Sequence, residues 1–190
     1  MQRAVGEVGL EDAAQRVRKV DDLAGDGQVV RAAHAVDLDE RLAWIQPGWI
    51  RSGEMQRVED DLRAVIELCH EYDVPVKVIF ETDALTRDEI KAAAEASIAA
   101  GADFIKTSTG FFTGTTQHEA TGAFDDMVAF MTECAAGRAQ VKGSGSIRDR
   151  AHFLRLIDAG IDRMGIGDRS TALVLGLEAG EDVAAASSGY

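Results

Sequence analysis

Residues 75–110 read PVKVIFETDALTRDEIKAAAEASIAAGADFIKTSTG, and their pattern decides the fold class. Pro75 to Glu81 is a short apolar, β-branched run, as expected of a strand buried in a parallel sheet. Thr86 stands three residues before Glu89, a capping box that opens a helix. An alanine-rich helix follows to Ala100 and stops at Gly101, a C-terminal glycine. Ala102 to Ser108 then makes a second strand, which runs into a Gly/Thr-rich loop from Thr109 to Thr116. Strand, helix and strand in this order form one βα unit and the start of the next.

Outward from this unit the alternation continues. Downstream, residues 120–136 have Phe124, Met127, Val128 and Met131 on one helical stripe. Ala139 to Lys142 reads as a strand, followed by the loop Gly143-Ser144-Gly145-Ser146. A helix is expected from Asp149 to Ala159, a strand from Arg163 to Ile166, and a last helix from Arg169 to Leu177. Upstream, Leu42 to Gln46 reads as a strand and Arg57 to Tyr72 as an amphipathic helix carrying Val58, Leu62, Val65, Ile66 and Cys69. The strands recur about every 30 residues, the length of a βα repeat. Consecutive right-handed βα units build either an open doubly wound sheet or a (β/α)₈ barrel. Residues 1–38 are less regular, with an amphipathic helix expected over Leu10 to Leu23 and a strand over Gln28 to Val36. The expected organisation is an atypical segment 1–38, a barrel domain 39–177 and a flexible tail 178–190.

Composition limits the function. The chain has 190 residues, 46% of them apolar and 28% charged, with a net charge of −13. An acidic chain is repelled by phosphate backbones, so nucleic-acid binding is not expected, although a small anion held in a local cationic pocket is. No apolar run has the roughly 18 residues that a membrane span requires, and the N-terminus does not have the pattern of a secretory signal. Cys69 and Cys134 stand alone without a CxxC pair, which points to reduced core thiols rather than a disulfide or a metal site. A cytoplasmic domain is expected.

In parallel α/β folds the chemistry gathers at the C-terminal ends of the strands. Here those ends are Glu81-Thr82, Lys106 to Gly110, Lys142 to Ser146 and Gly165 to Asp168. Two of them carry lysines, and strand alternation puts Phe104, Lys106 and Ser108 on one face and Gln140 and Lys142 on one face. An ammonium group near another cation loses its proton more readily, and a neutral amine condenses with a carbonyl to an iminium ion, an electron sink for carbon–carbon cleavage. The alternative is that both lysines bind phosphate or pair with carboxylates. The loop Gly143 to Ser146, leading into Ile147-Arg148, either cradles an anion on its backbone N–H groups or is a simple turn. His118 lies in the loop after Lys106 and can approach the site, whereas His34, His70 and His152 read as surface or structural. Trp44 and Trp49 bracket Pro47-Gly48 and read as core packing. Glu81 reads equally as a partner of Lys106 or as one member of an ordinary structural pair.

Three stretches in order carry a family resemblance: Lys77 to Thr82 (KVIFET), Ala99 to Phe111 (AAGADFIKTSTGF) and Val141 to Arg148 (VKGSGSIR). They resemble the deoxyribose-phosphate aldolase family over residues 39 to 176. The resemblance implies a (β/α)₈ TIM-type barrel and a class I aldolase that cleaves 2-deoxyribose 5-phosphate to glyceraldehyde 3-phosphate and acetaldehyde, with no cofactor. It places Lys106 on the Schiff-base lysine and Lys142 on the second lysine, which lowers the first one's pKa and takes part in proton transfer. Gly110, Gly145, Ser146 and Arg148 fall on the phosphate region, and Thr107, Gly165 and Gly167 complete the expected substrate contacts. The expected partners are a sugar phosphate and aldehydes, with a homodimer as a compatible assembly.

Three departures from the family pattern matter. Leu42 occupies the position of a catalytic aspartate, so one acid/base role is empty unless Asp37, Asp39 or Glu40 fills it. Asp168 stands where the family offers a serine-rich phosphate loop, which opens the alternative of an unphosphorylated acceptor. Only five or six of eight βα units are readable, whereas such barrels need about 200 residues or more. A truncated barrel is therefore expected, in preference to one patched by residues 1–38. A catalytically impaired paralogue that only binds phosphosugar is the alternative reading. Tyr190 ends the tail and is a candidate to deliver a phenol to the site, with a disordered terminus as the simpler expectation.

Overall fold

The computed structural model describes residues 41–176. The expected helix 10–23, strand 28–36, His34, tail 178–190 and Tyr190 lie outside the described residues. So do Asp37, Asp39 and Glu40.

The described chain is a parallel sheet wrapped on one face by helices. In order the elements are β1 (Arg41–Trp44), α1 (Pro47–Arg51), α2 (Met55–His70), β2 (Val76–Ile79), a 3₁₀ turn (Thr82–Ala84) and α3 (Arg87–Ala99). They continue with β3 (Phe104–Lys106), α4 (Asp125–Ala135), β4 (Gln140–Ser144), α5 (Arg150–Asp158), β5 (Arg163–Gly165) and α6 (Asp168–Leu175). The strands lie in sequence order, β1-β2-β3-β4-β5, and every pair is parallel. A doubly wound sheet reverses its strand order and carries helices on both faces. Here the order never reverses, so the architecture is that of a (β/α)₈ barrel, of which five strands are described.

Strand alternation divides the side chains between two environments. Outward, Ala43, Ile45, Val76, Val78, Phe80, Ile105 and Val141 form one buried cluster with helix residues such as Leu62, Ile66, Ile90, Ala93, Met127 and Met131. A second cluster, Ala123, Val128, Ile147, Leu156 and Val174, packs α4, α5 and α6 together beside β5. Inward point Lys77, Ile79, Phe104, Lys106, Lys142 and Arg163, by register. Nearly all the apolar burial therefore lies between sheet and helices, which leaves the inner face free to carry charge.

The local signals in the sequence explain the element ends. Thr86 caps α3 with a complete capping box, its hydroxyl accepting from the Glu89 amide while the Glu89 carboxylate accepts from the Thr86 amide. Asp149 caps α5 by accepting from the His152 amide at 2.8 Å. Pro47 opens a short helix, α1, at the end of the strand expected to reach Gln46, because proline's fixed φ suits a first helical turn. The helix expected from residue 120 begins only at Asp125. Gly122 has φ +75°, outside the right-handed helical region, and its amide is tied to Asp83 instead.

Candidate active site

The site is built at the C-terminal ends of β2 to β5. Lys106 and Lys142 are register partners on adjacent strands and so leave the sheet on the same face. Lys106 is 8% exposed and Lys142 half-buried. The Lys106 ammonium donates to the Ser108 carbonyl at 2.8 Å, and the Ser144 hydroxyl donates to the same carbonyl. A second buried hydroxyl, Thr82, sits 3.1 Å from the Ser108 hydroxyl. The amine is thus held among polar groups at the mouth of the sheet, as the alternation in the sequence indicates.

Two further cations share the inner face. Lys77 is fully buried, with its ammonium 6.0 Å from the centre of the Phe104 ring, and the Arg163 guanidinium stacks 4.5 Å from the same ring. Sequence reasoning misses Lys77, although a lysine in the middle of a β-branched strand, two residues from a strand end, is a usable signal. Its register neighbours are Leu42 on β1 and Phe104 on β3. Leu42, at the position that the resemblance assigns to an aspartate, therefore faces the same interior.

Around the lysines, three loops meet on glycines. Gly145 and Ser146 both have positive φ, +87° and +60°, which turns the backbone after β4 sharply. A Cβ on Gly122 would lie 2.7 Å from the Gly145 carbonyl carbon and oxygen, and one on Gly145 would lie 3.1 Å from the Gly110 Cα. Only glycine fits this junction. The Ala123 amide donates to the Gly145 carbonyl at 3.1 Å, which closes the contact. Gly110, Gly145 and Ser146 thus come together within reach of the lysine-bearing strand ends. Gly165 on β5 is the register partner of Ser144 and borders the same mouth, and Gly167 caps α6. Arg148 is exposed beyond the loop.

Several expected residues take different places. Thr107 is fully buried, and its hydroxyl donates to the Ser144 carbonyl and accepts from the Ser144 amide. It stitches β3 to β4, because alternation turns it away from Lys106. Glu81 pairs with Thr109. Its carboxylate accepts from the Thr109 amide at 3.0 Å and from the Thr109 hydroxyl at 2.6 Å. His118 anchors its loop by a 3.2 Å contact to the Thr82 carbonyl. His70 lies at the opposite end of the strands, 2.8 Å from Asp103, and His152 lies on α5. Asp168 begins α6, where its carboxylate accepts from the Arg169 amide at 2.8 Å.

Cys69 and Cys134 are free and buried, and burial pushes both thiols above their ordinary pKa. Among the described residues no group of three or more His, Cys, Asp and Glu could hold a metal ion, and no helix is long and apolar enough to cross a membrane.

Comparison with known proteins gives consistent findings. The sequence profile of the DeoC/LacD family aldolases matches residues 28–183. The deoxyribose-phosphate aldolase of Exiguobacterium sibiricum is 45% identical over 118 residues, which cover 62% of this chain and 49% of that protein. A deoxyribose-phosphate aldolase of Thermus thermophilus is 41% identical over 146 residues, covering 77% of this chain and 60% of that protein. Among solved structures, the aldolase QR15 superposes with a TM-score of 0.60 at 32% identity, over 83% of this chain and 62% of that one. The deoxyribose phosphate aldolase of Aeropyrum pernix, described as a unique tetramer, superposes with a TM-score of 0.55 at 28% identity, over 64% and 49% of the two chains. The chain spans between 49% and 60% of the length of these two curated relatives.

Proposed function

The chain belongs to the DeoC/LacD aldolase family, and on that premise we propose that it cleaves 2-deoxy-D-ribose 5-phosphate reversibly to D-glyceraldehyde 3-phosphate and acetaldehyde through a Schiff base on Lys106. The observation that carries this reading is the pairing of Lys106 with Lys142 across β3 and β4. A buried amine beside a second ammonium gives up its proton more readily than a surface lysine. The neutral amine adds to the C1 carbonyl of the open-chain sugar, and loss of water gives the protonated imine. Removal of the C3 hydroxyl proton lets the C2–C3 bond break, with its electron pair drawn into the iminium. C3 leaves as the aldehyde carbon of glyceraldehyde 3-phosphate, and the enamine left on Lys106 is protonated at C2 and hydrolysed to acetaldehyde. Lys142, on the same face, is the group that exchanges protons with the reacting carbons. The Ser108 carbonyl, 2.8 Å from the Lys106 nitrogen, is placed to accept the iminium N–H. The backbone N–H groups at Gly145 and Ser146 hold the phosphate, with Gly110, Arg148, Gly165 and Gly167 around it. We further infer a cytoplasmic enzyme acting on small sugar phosphates and aldehydes, with a homodimer as the compatible assembly.

Reduction with borohydride in the presence of acetaldehyde tests the proposal. An ethyl adduct on Lys106, absent in Lys106→Arg and slowed at least tenfold in Lys142→Met, is expected by mass spectrometry. Folded protein that gives no adduct at Lys106 would overturn it.

A second reading rests on Asp168. A carboxylate at the start of α6 repels the dianion that this end of a barrel otherwise attracts. An unphosphorylated aldehyde acceptor, with the same Schiff base, accommodates it. Turnover of 2-deoxyribose with and without its phosphate distinguishes the two readings.

A further inference from the structure

Asp83 lies in the 3₁₀ turn after β2, contacts neither lysine in the hydrogen-bond network described above, and is only 3% exposed. A carboxylate is costly to bury unless its oxygens are engaged. Its Oδ1 accepts from the Gly122 amide at 2.8 Å, and its backbone carbonyl accepts from the Gln117 amide at 2.9 Å. One residue thus holds both ends of the stretch 117–122 in the long connection between β3 and α4.

What that stretch touches gives the contact its significance. Gly122 presses on the Gly145 carbonyl group so closely that no Cβ fits between them. Ala123 donates to the Gly145 carbonyl, and the Thr121 and Ser146 hydroxyls are 3.5 Å apart. Gly110, at the start of the same connection, also packs against the Gly145 Cα. The turn at Gly145–Ser146 is therefore packed against two parts of one loop, and Asp83 fixes the far part. A charged acceptor makes a stronger hydrogen bond to an amide than a neutral one, so a carboxylate at 83 holds Gly122 firmly. Glu81, two residues earlier, fixes Thr109 at the near part in the same way.

We propose that Asp83 is a positioning residue that fixes the anion-facing turn at Gly145–Ser146 through Gly122, and so sets the preference for a phosphorylated over an unphosphorylated sugar without touching substrate. The preference rests on the proposed function above, whereas the fixing of the turn does not.

The test uses the full chain with Asp83→Ala and Asp83→Asn, the latter keeping an oxygen acceptor without the charge. Hydrogen exchange of residues 143–148 is expected to quicken at least tenfold in Asp83→Ala, with the amides of β2 and β3 unchanged, and about threefold in Asp83→Asn, which keeps an acceptor but loses the charge. The ratio of kcat/KM for 2-deoxyribose 5-phosphate over 2-deoxyribose is expected to fall about tenfold in Asp83→Ala, through KM for the phosphorylated sugar, while borohydride trapping of acetaldehyde on Lys106 keeps its wild-type rate. Unchanged exchange at 143–148 overturns the proposal, as does an equal loss on both sugars. If Asp83→Ala fails to fold, Asp83→Asn decides through the same two readouts, with an exchange rate and sugar ratio identical to wild type counting against the proposal. A wild-type chain without aldolase turnover would refute the proposed function alone, since the exchange measurement still decides whether Asp83 fixes the turn.

Discussion

Leu42 and Lys77 are register partners on β1 and β2, so an apolar side chain sits across from a fully buried ammonium on the inner face of the sheet. The same face carries Lys106 and Lys142 one pair of residues further along. Lys77 is therefore a cation whose neighbour in the first strand contributes packing and no proton chemistry. The family resemblance assigns that neighbour to an acid/base aspartate.

Restoring a carboxylate at this position is expected to raise the rate. In Leu42→Asp, the new group lies beside Lys77 and on the face that carries Lys106 and Lys142. General acid–base catalysis contributes about 10²–10⁴-fold, and a gain of at least tenfold in kcat for 2-deoxyribose 5-phosphate is expected, with KM changed less than threefold. Steady-state kinetics at pH 7 checks it. A kcat at or below the wild-type value would show that proton transfer does not limit turnover at this position.

Backbone strain gives a second expectation. Ser146 holds φ +60° in the turn after β4, a region that costs a non-glycine residue about 1 kcal/mol or more. Ser146→Gly removes the strain, partly offset by the greater freedom of glycine in the unfolded chain. A gain of about 0.5–1 kcal/mol is expected, seen as a rise in Tm of about 1–4 °C. The reverse change beside it, Gly145→Ala, puts a Cβ 3.1 Å from the Gly110 Cα and is expected to lower stability by about 1–3 kcal/mol. Urea and thermal melts read both, and a destabilised Ser146→Gly would contradict the account.

The thiols supply a pH dependence. Burial raises the pKa of Cys69 and Cys134 in the folded chain, while the unfolded value is near 8.5. A group whose folded pKa is raised contributes stability that is fully present below the unfolded pKa and lost as pH rises through the folded one. The urea midpoint is therefore expected to fall as pH climbs above about 8.5, and a Cys69→Ser, Cys134→Ser chain to lose less over the same range. At pH 8 both native thiols should resist a disulfide reagent for many minutes, then react at once in urea. Rapid labelling of the native chain would show that the sheet–helix core opens more readily than its packing indicates.

The fold is legible wherever one short signal decides a boundary. Thr86 with Glu89, Asp149 before α5, and the β-branched run at Val76 to Ile79 each fix an element without help from distant residues. The two lysines are legible for a similar reason, since alternation along β3 and β4 dictates which side chains share a face. What escapes the sequence depends on contacts between loops. Nothing local to residues 120–124 announces that Gly122 is held by Asp83 and leaves the helix to begin at Asp125. Thr107 reads as a substrate contact from its neighbourhood, and only the packing of β3 on β4 shows its hydroxyl turned to the Ser144 backbone. Lys77 is hidden by the strength of its surroundings, a polar residue inside a run that already reads as strand.

Lys77, Lys106, Lys142 and Arg163 share one face of the sheet in a chain with net charge −13, so basic groups cluster locally against an acidic total. On the proposed function, a sugar phosphate in bulk solvent is repelled by that acidic total before it reaches the basic side chains. Ions of the medium mask that long-range repulsion beyond about 8 Å at 0.15 M ionic strength, while interactions over a few ångströms are screened less. Moderate salt should therefore hasten capture rather than weaken it, the reverse of the usual behaviour of proteins that attract anions over their whole surface.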